Sequence, residues 1–256
     1  MAEPKLRKAS KWIMYLFGSA VLAFFLSSAA GAATLDDADR LLQGPDLDKE
    51  KAVKALGIYE SLLPPAGAQR LPVLERLART SFILGDIAES GQRRLYYEQG
   101  RQYAEKILQE YPEHVAGHYW LGLNLGGLAD VNRLQGRKLL PQILEELERA
   151  ASINPGYDQG GAYRVLGRIY YSAPGRPLSV GDMNKSLDLL QKATALAPSN
   201  STNHLYLAET LLKLGRQDQA RKELQQVLTA TQNTEGLRGL EEDKAAAKEL
   251  IQKSGS

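Results

Sequence analysis

Apolar residues recur at helical spacing in a series of segments that each end shortly before a proline. Pro112, Pro155 and Pro198 are spaced 43 residues apart, and Pro64 extends the series towards the N-terminus. The positions twelve, eight and five residues before the first three prolines carry mostly small or apolar side chains: Gly100, Ala104, Ile107, Ile143, Leu147, Ala150, Ser186, Leu190 and Ala193. Because residues three and four apart share one face of a helix, this pattern predicts an amphipathic helix before each proline.

An apolar residue followed by a small one comes at a regular distance after the same prolines. The three pairs are Leu121-Gly122, Leu166-Gly167 and Leu207-Ala208. The first and third begin nine residues after their prolines and the second begins eleven, which predicts a two-residue insertion at Gly160-Gly161. A small residue lets two helices approach closely, so each proline is expected to separate one helical hairpin from the next.

These positions resemble the tetratricopeptide repeat over roughly residues 45–230, most clearly in the segment HLYLAETLLKLGRQDQARKELQQVL. The resemblance implies an all-α fold in which stacked helical hairpins form a right-handed superhelix. Two hairpins, those with the segments ADVNRLQGRKLLPQ and SAPGRPLSVGD, exceed the usual period. We therefore predict modified repeats with long inter-helix insertions, taken up by longer helices or by large loops.

A narrower resemblance comes from YWLGLNLGG, NPGYDQGGAYRVLGRIYYSAPGRPLSVGD and LAETLLKLGR. These segments look like the periplasmic T-component of tripartite ATP-independent (TRAP) transporters. That resemblance implies a non-enzymatic protein that partners a periplasmic solute-binding protein and holds a small apolar ligand in a hydrophobic pore or cleft. It supplies no ligand motif that can be transferred residue by residue.

The N-terminus has the three parts of a secretory signal. Four cations precede the apolar run WIMYLFGSAVLAFFL, and small residues with the triplet Ala30-Gly31-Ala32 follow it. Residues 1–33 are accordingly predicted to be a signal peptide of an exported, periplasmic protein. The alternative is an uncleaved anchor in the inner membrane, since no charge occurs between Trp12 and Leu35. In both cases the body lies outside the cytoplasm, and only this segment contacts a membrane.

The rest of the chain is divided into a tetratricopeptide-like domain at residues 34–233 and a C-terminal capping helix at residues 234–256. The formal net charge of +2 comes largely from the first eleven residues, so no nucleic-acid partner is expected. The chain contains no cysteine, which excludes disulfides, thiolate metal sites and cysteine nucleophiles.

The first helix of each hairpin is expected to line a concave surface that binds a protein or a ligand. Candidate binding residues on these helices combine aromatic rings with polar groups: Trp120, Asn124, Tyr163, Tyr170, His204 and Glu209. The same rings can instead pack between helices. His118, Tyr163 and His204 all lie three residues before their apolar–small pairs, where this repeat carries a large ring for packing.

No catalytic residue, metal site or cofactor is predicted. His114 and His118 are four residues apart, as ligands on one helix face would be, but no HExxH motif surrounds them. No G-x-S-x-G segment or phosphate-binding glycine loop is present either. The sequence thus favours a non-enzymatic binding scaffold associated with a transporter, with a purely structural protein–protein scaffold of an envelope assembly as the alternative.

Overall fold

A computed structural model describes residues 33–44, 46–175 and 178–254. The signal peptide or anchor predicted at residues 1–33 lies outside these residues except for Ala33. Thr34–Ser256 forms one compact unit. Within the described residues the regular secondary structure is entirely helical, with only two isolated β-bridges, Gly175–Gly181 and Asn200–Gln232.

Eleven helices are described, and the first ten form five antiparallel hairpins in chain order. The hairpins are α1 (Leu35–Gln43) with α2 (Lys49–Leu62), α3 (Arg70–Ile87) with α4 (Ser90–Glu110), α5 (Val115–Val131) with α6 (Arg133–Ile153), α7 (Gly161–Ser172) with α8 (Met183–Leu196), and α9 (Ser201–Lys213) with α10 (Gln217–Thr229). The last helix, α11 (Gly236–Ser254), packs on α10 and α9.

Each proline of the series lies two residues beyond the end of a second helix. The helices α2, α4, α6 and α8 end at Leu62, Glu110, Ile153 and Leu196, before Pro64, Pro112, Pro155 and Pro198. Proline cannot donate the next helical hydrogen bond and restricts the residue before it, so the helix stops there. The prediction that prolines separate the hairpins is confirmed.

The apolar–small pairs pack as the sequence predicts. A methyl group added to Gly122 would lie 2.8 Å from Leu147, and one added to Gly167 would lie 2.6 Å from Leu190. These leucines are the large residues eight positions before their prolines, and both are fully buried. Each small residue therefore faces the second helix of its own hairpin, and the core is a series of such contacts along the stack.

The two oversized hairpins accommodate their extra residues differently. In the third hairpin, Asn132 alone separates α5 from α6, so the extra length is helical and includes Pro141 inside α6. In the fourth hairpin the extra residues form the connection between Ser172 and Met183, where Asp182 caps α8 by accepting from the backbone N–H groups of Asn184 and Lys185 at 3.0 Å. A long insertion between helices is thus found in one hairpin and not in the other.

None of the described helices combines the length and the apolar character that a membrane crossing requires.

Candidate partner-binding surface

The inner side of the stack is the side of the first helices that points away from their second helices. Because Gly122, Gly167 and Ala208 face the second helices, the residues two positions earlier and one position later point to the other side. Trp120 and Tyr206 are equivalent inner positions by this rule, and so are Arg168 and Glu209. The inner side has different character in the two halves of the stack.

In the N-terminal half, five rings from α3, α4, α5 and the α6–α7 connection form a cluster that includes the inner residue Trp120. Adjacent centroids in this aromatic cluster are 5.0 to 6.2 Å apart, and its members are Tyr97, Phe82, Trp120, Tyr119 and Tyr157. The Trp120 Nε1–H donates to the Tyr157 hydroxyl at 2.9 Å, and that hydroxyl donates to Glu75 of α3. The cluster therefore joins α3, α5 and the α6–α7 connection, and leaves little of Trp120 accessible.

The α6–α7 connection covers this half through a left-handed turn. Asp158, Gln159 and Gly160 have φ values of 49°, 57° and 78°. Arg164, which is 5% exposed, donates to the Asp158 carboxylate at 2.7 Å, and the Tyr119 hydroxyl donates to the same carboxylate at 2.5 Å. The turn includes Gly160, the glycine at which the sequence predicts an insertion, and its polar groups hold it against α5 and α7.

In the C-terminal half, the inner side of α7 and α9 carries alternating cations and rings that remain partly accessible. Arg168 lies 4.8 Å from the ring centroid of Tyr171 and 4.5 Å from that of Tyr206, and Lys213 lies 4.3 Å from Tyr171. Glu209 accepts from Arg168. We call Lys213, Tyr171, Arg168 and Tyr206 the cation–π ladder. Its groups are fixed by one another yet still offer surface to solvent.

Two of the predicted binding residues lie in the packed half. Trp120 is 5% exposed within the aromatic cluster. Asn124 is completely buried, and its Nδ2 donates to the backbone carbonyl of Trp120 at 2.8 Å. Both side chains hold neighbouring helices together, so a partner on the inner side would meet little of either one.

The other four predicted residues lie on α7 and α9, in different settings. Tyr163 has Lys192 of α8 beside its ring, and the Tyr170 hydroxyl accepts from Lys185 of α8. Those two tyrosines therefore face the second helix. His204 is 7% exposed, whereas Glu209 sits on the inner side next to the ladder. Binding by any of the six residues stays a prediction.

Arg168 and Lys213 were not among the predicted binding residues, although the repeat pattern carries a usable signal for both. Arg168 directly follows the small residue Gly167, as Glu209 follows Ala208, so the repeat places both on the inner side. Lys213 lies four residues after Glu209, one helical turn further along the same face.

Three carboxyl groups lie near the place where α3 approaches the start of α11. Arg79 of α3 donates to the Thr234 carbonyl at 3.0 Å, which joins the second hairpin to the segment before α11. Burial by the surrounding helices raises the pKa of Asp86, Glu235 and Asp243, and repulsion between Asp86 and Glu235 adds to this in the case of Glu235. The Glu235 side chain keeps 58% of its surface accessible. Glu235 is therefore in contact with solvent, whereas the Asp243 carboxylate accepts hydrogen bonds from Ser201, Thr202 and Asn233.

His114 and the depression beside α6 have surroundings that are neither metal-binding nor apolar. His114 caps α5, where its Nδ1 accepts from the backbone N–H of Ala116 at 3.3 Å. No group of three or more potential ligands is arranged for a metal ion within the described residues. A surface depression of about 530 Å³ beside α6 is lined by charged side chains including Glu145, Glu146 and Arg149.

Two family models and a number of solved structures match the chain. The model described as Regulator of microtubule dynamics protein 1-3 matches residues 34–174, more than half of the chain. The model described as Tetratricopeptide repeat matches residues 178–243. No curated protein matches the sequence.

One of the structural matches supports the fold. A thermophilic TPR protein from Thermus thermophilus superposes with a TM-score of 0.58 at 23% identity, covering 77% of this chain and 91% of that one. MamA matches with a TM-score of 0.46 at 19% identity, covering 84% of this chain and 98% of that one. The predicted all-α superhelix of tetratricopeptide hairpins is confirmed, whereas the resemblance to the TRAP transporter component is not.

Repeats of this type imply protein partners. By the model that covers residues 34–174, the chain belongs to the family of Regulator of microtubule dynamics protein 1-3, and tetratricopeptide repeats follow in its C-terminal part.

Proposed function

We propose that the protein is an exported, non-enzymatic scaffold that binds a polypeptide partner on the inner side of α7 and α9. The observation that carries the proposal is the cation–π ladder, because it combines accessible rings with charges held in place. Arg168 sits between Tyr171 and Tyr206 and is bonded to Glu209. Tyrosine and arginine supply much of the binding energy at protein interfaces, and groups fixed in advance lose little entropy on binding.

The ladder also indicates the chemistry of the partner segment. Arg168 is neutralised by Glu209, whereas no carboxylate among the described residues forms an ion pair with Lys213. A segment that offers an acidic side chain to Lys213 and an apolar or aromatic one to the accessible edges of Tyr171 and Tyr206 would complement this face.

A photo-reactive amino acid placed at Tyr171 in cells that make the protein tests this proposal. We expect a cross-link from position 171 to a polypeptide, and little from position 163, where Tyr163 also carries a lysine beside its ring but faces α8. Lys213→Ala should weaken the cross-link, and the matched Lys192→Ala should not. Equal cross-linking from both positions, or no effect of Lys213→Ala, would refute binding at the ladder.

Export rests on the N-terminal pattern of cations, apolar run and small residues. Sequencing the N-terminus of the mature protein would distinguish cleavage near Ala32 from an uncleaved inner-membrane anchor. Full accessibility of the body to protease added outside the cytoplasmic membrane is expected in both cases. A protein that keeps its N-terminus and is protected from that protease would contradict export.

The identity of the partner is open to two further proposals. The description of the matched family favours a partner that belongs to or resembles the microtubule system. Co-sedimentation of the purified chain with polymerised tubulin tests this, and loss of sedimentation in Lys213→Ala would connect it to the ladder.

The second proposal follows from the resemblance to transporter components and names a periplasmic solute-binding protein, with a small apolar ligand held in the interior. A purely structural scaffold without a ligand is the alternative. Native mass spectrometry of protein purified from its own envelope distinguishes them, because a bound small molecule adds its mass to the intact chain. An empty chain would end the ligand proposal and leave the protein scaffold in place.

A further inference from the structure

Two histidines in different hairpins make the same pair of contacts. His118 Nδ1 lies 2.7 Å from Oε2 of Glu146, and its Nε2 lies 3.1 Å from the Pro112 carbonyl oxygen. His204 Nδ1 lies 2.6 Å from Oε2 of Glu223, and its Nε2 lies 3.0 Å from the carbonyl oxygen of Pro198. Both side chains are largely buried. The arrangement is therefore a repeated element of the fold.

Each ring faces two groups that can only accept hydrogen bonds. Carboxylate and carbonyl oxygens have no proton to donate, and a neutral imidazole has a single N–H. A neutral ring satisfies one acceptor and turns a nitrogen lone pair towards the other. Only the doubly protonated imidazolium makes both hydrogen bonds at once, so the geometry favours a bound proton at each site.

The two acceptors belong to different parts of the stack. Glu146 and Glu223 lie on α6 and α10, the second helices of the same hairpins as the histidines. Pro112 and Pro198 follow α4 and α8, the last helices of the preceding hairpins. Each protonated ring thus joins three elements: its own first helix, its own second helix and the end of the hairpin before.

We propose that His118 and His204 form two clamps that fix how the third and fifth hairpins stack on their predecessors, and that the His204 clamp depends on a bound proton. Loss of the proton breaks one of the two hydrogen bonds and lets the angle between consecutive hairpins change. Since the ladder spans the fourth and fifth hairpins, the His204 clamp controls the relative placement of α7 and α9 and with it the spacing of the ladder.

The intervening hairpin provides an internal comparison. Tyr163 occupies the position of the two histidines, and Leu189 occupies the position of the two glutamates, directly before the large residue Leu190. Both members of the pair are replaced together by side chains that do not bind a proton at neutral pH. The clamp is therefore a specific combination at two of the three equivalent positions.

The charged groups around the rings are accounted for. Beside His118, the surface depression also contains Glu145, Glu148 and Arg149, and Arg149 pairs with Glu113. Towards His204, α10 presents Glu223. Two charged groups on other helices that contact α9 are engaged elsewhere. Arg168 of α7 pairs with Glu209, and Asp243 of α11 accepts from Ser201 and Thr202.

The direction in which stability changes with pH follows from the pKa of His204. Burial opposes its protonation, but the hydrogen bond to Glu223, the bond to the Pro198 carbonyl and the attraction of Glu223 together raise its pKa above 6.5. A histidine with a raised pKa contributes stability that is fully present below 6.5 and is lost as the pH rises through the folded-state pKa. The fifth hairpin should therefore loosen towards alkaline pH.

The protonation states can be measured directly because the chain has three histidines. In the full-length protein labelled with ¹⁵N at histidine, both ring nitrogens of His204 should show the chemical shifts of N–H groups at pH 6. His114 serves as a reference because its Nδ1 accepts a backbone hydrogen bond. An unprotonated ring nitrogen in His204 at pH 6 would overturn the proposal.

The stacking itself can be followed by spin-label distances, since the chain lacks native cysteines. Labels on the exposed sites Lys192→Cys of α8 and Lys222→Cys of α10 report how the fifth hairpin sits on the fourth. We expect the distance distribution to shift or broaden between pH 6 and pH 8.5, and His204→Phe to remove this response. The proposal would be contradicted if the distance distribution did not change with pH in the protein that retains His204. It would also be contradicted if His204→Phe showed the same change with pH.

Discussion

The inner sides of the two halves of the stack differ although they are built from the same repeat. Trp120 and Tyr206 occupy the same position, directly before the apolar–small pair. Trp120 is closed off by Tyr157 and Phe82, whereas Tyr206 borders Arg168 and remains partly accessible. Tyr157 of the α6–α7 connection covers Trp120 and accounts for its enclosure, whereas Gln159 of the same connection bonds to Asn200 and Asn203 of the C-terminal half. One repeat position can therefore serve packing in one hairpin and recognition in another.

Truncating the two equivalent rings should have the largest and most unequal effects. Trp120→Ala removes a buried ring and leaves the Tyr157 hydroxyl without its donor, so we expect a loss of about 3–5 kcal/mol in the free energy of unfolding. Tyr206→Ala should cost about 1 kcal/mol. Chemical denaturation followed by circular dichroism measures both, and equal losses would remove the distinction between the halves.

A smaller effect is expected from filling the space beside Tyr97. A methyl group on Gly127 would lie 2.3 Å from the Tyr97 ring, whereas one on neighbouring Gly126 meets no atom within 4 Å. Gly127→Ala should destabilise by about 1–3 kcal/mol because the buried ring must move. Gly126→Ala should stabilise by about 0.5–1 kcal/mol, since alanine favours the helix. If thermal unfolding showed that both variants change stability in the same direction, the cluster would be loosely packed.

Removing single hydroxyl groups sharpens the comparison further. Tyr157→Phe deletes the group that accepts from Trp120 and donates to Glu75, and should cost about 1–3 kcal/mol. In the ladder, the Tyr171 hydroxyl has no hydrogen-bond partner among the described residues, so Tyr171→Phe should stay within about 0.5 kcal/mol of the parent protein. Denaturation midpoints of the two variants would coincide if the α6–α7 connection did not hold the cluster.

The smallest expected effect concerns Glu235, which directly precedes α11. Because the pKa of Glu235 is raised, its ionised form disfavours folding, and stability from this group is fully present below 4.5 and lost as the pH rises. Glu235→Gln should therefore be slightly more stable than the parent at pH 7, and the difference should vanish below pH 4.5. A variant that is less stable at pH 7 would show that the ion pair with Arg238 outweighs the repulsion.

The hairpins and their boundaries could be predicted from the sequence, while their contacts could not. The prolines and the apolar–small pairs act locally, and the structure places them as predicted. The predicted equivalence of His118 and His204 is also found. Their hydrogen bonds to glutamate and carbonyl oxygens were not predicted, because the acceptors belong to other parts of the chain. A phenylalanine at either position would make neither bond.

The amino-acid order by itself determined that this chain forms stacked helical hairpins, since helix periodicity, proline and small residues act within a few turns of the backbone. Only the tertiary structure decided which inner positions stay accessible. That outcome depends on where the α6–α7 connection folds and on which side chains meet across hairpins, and those contacts join residues far apart in the chain. For the same reason Trp120 is enclosed and Tyr206 is not, although the repeat assigns them one position.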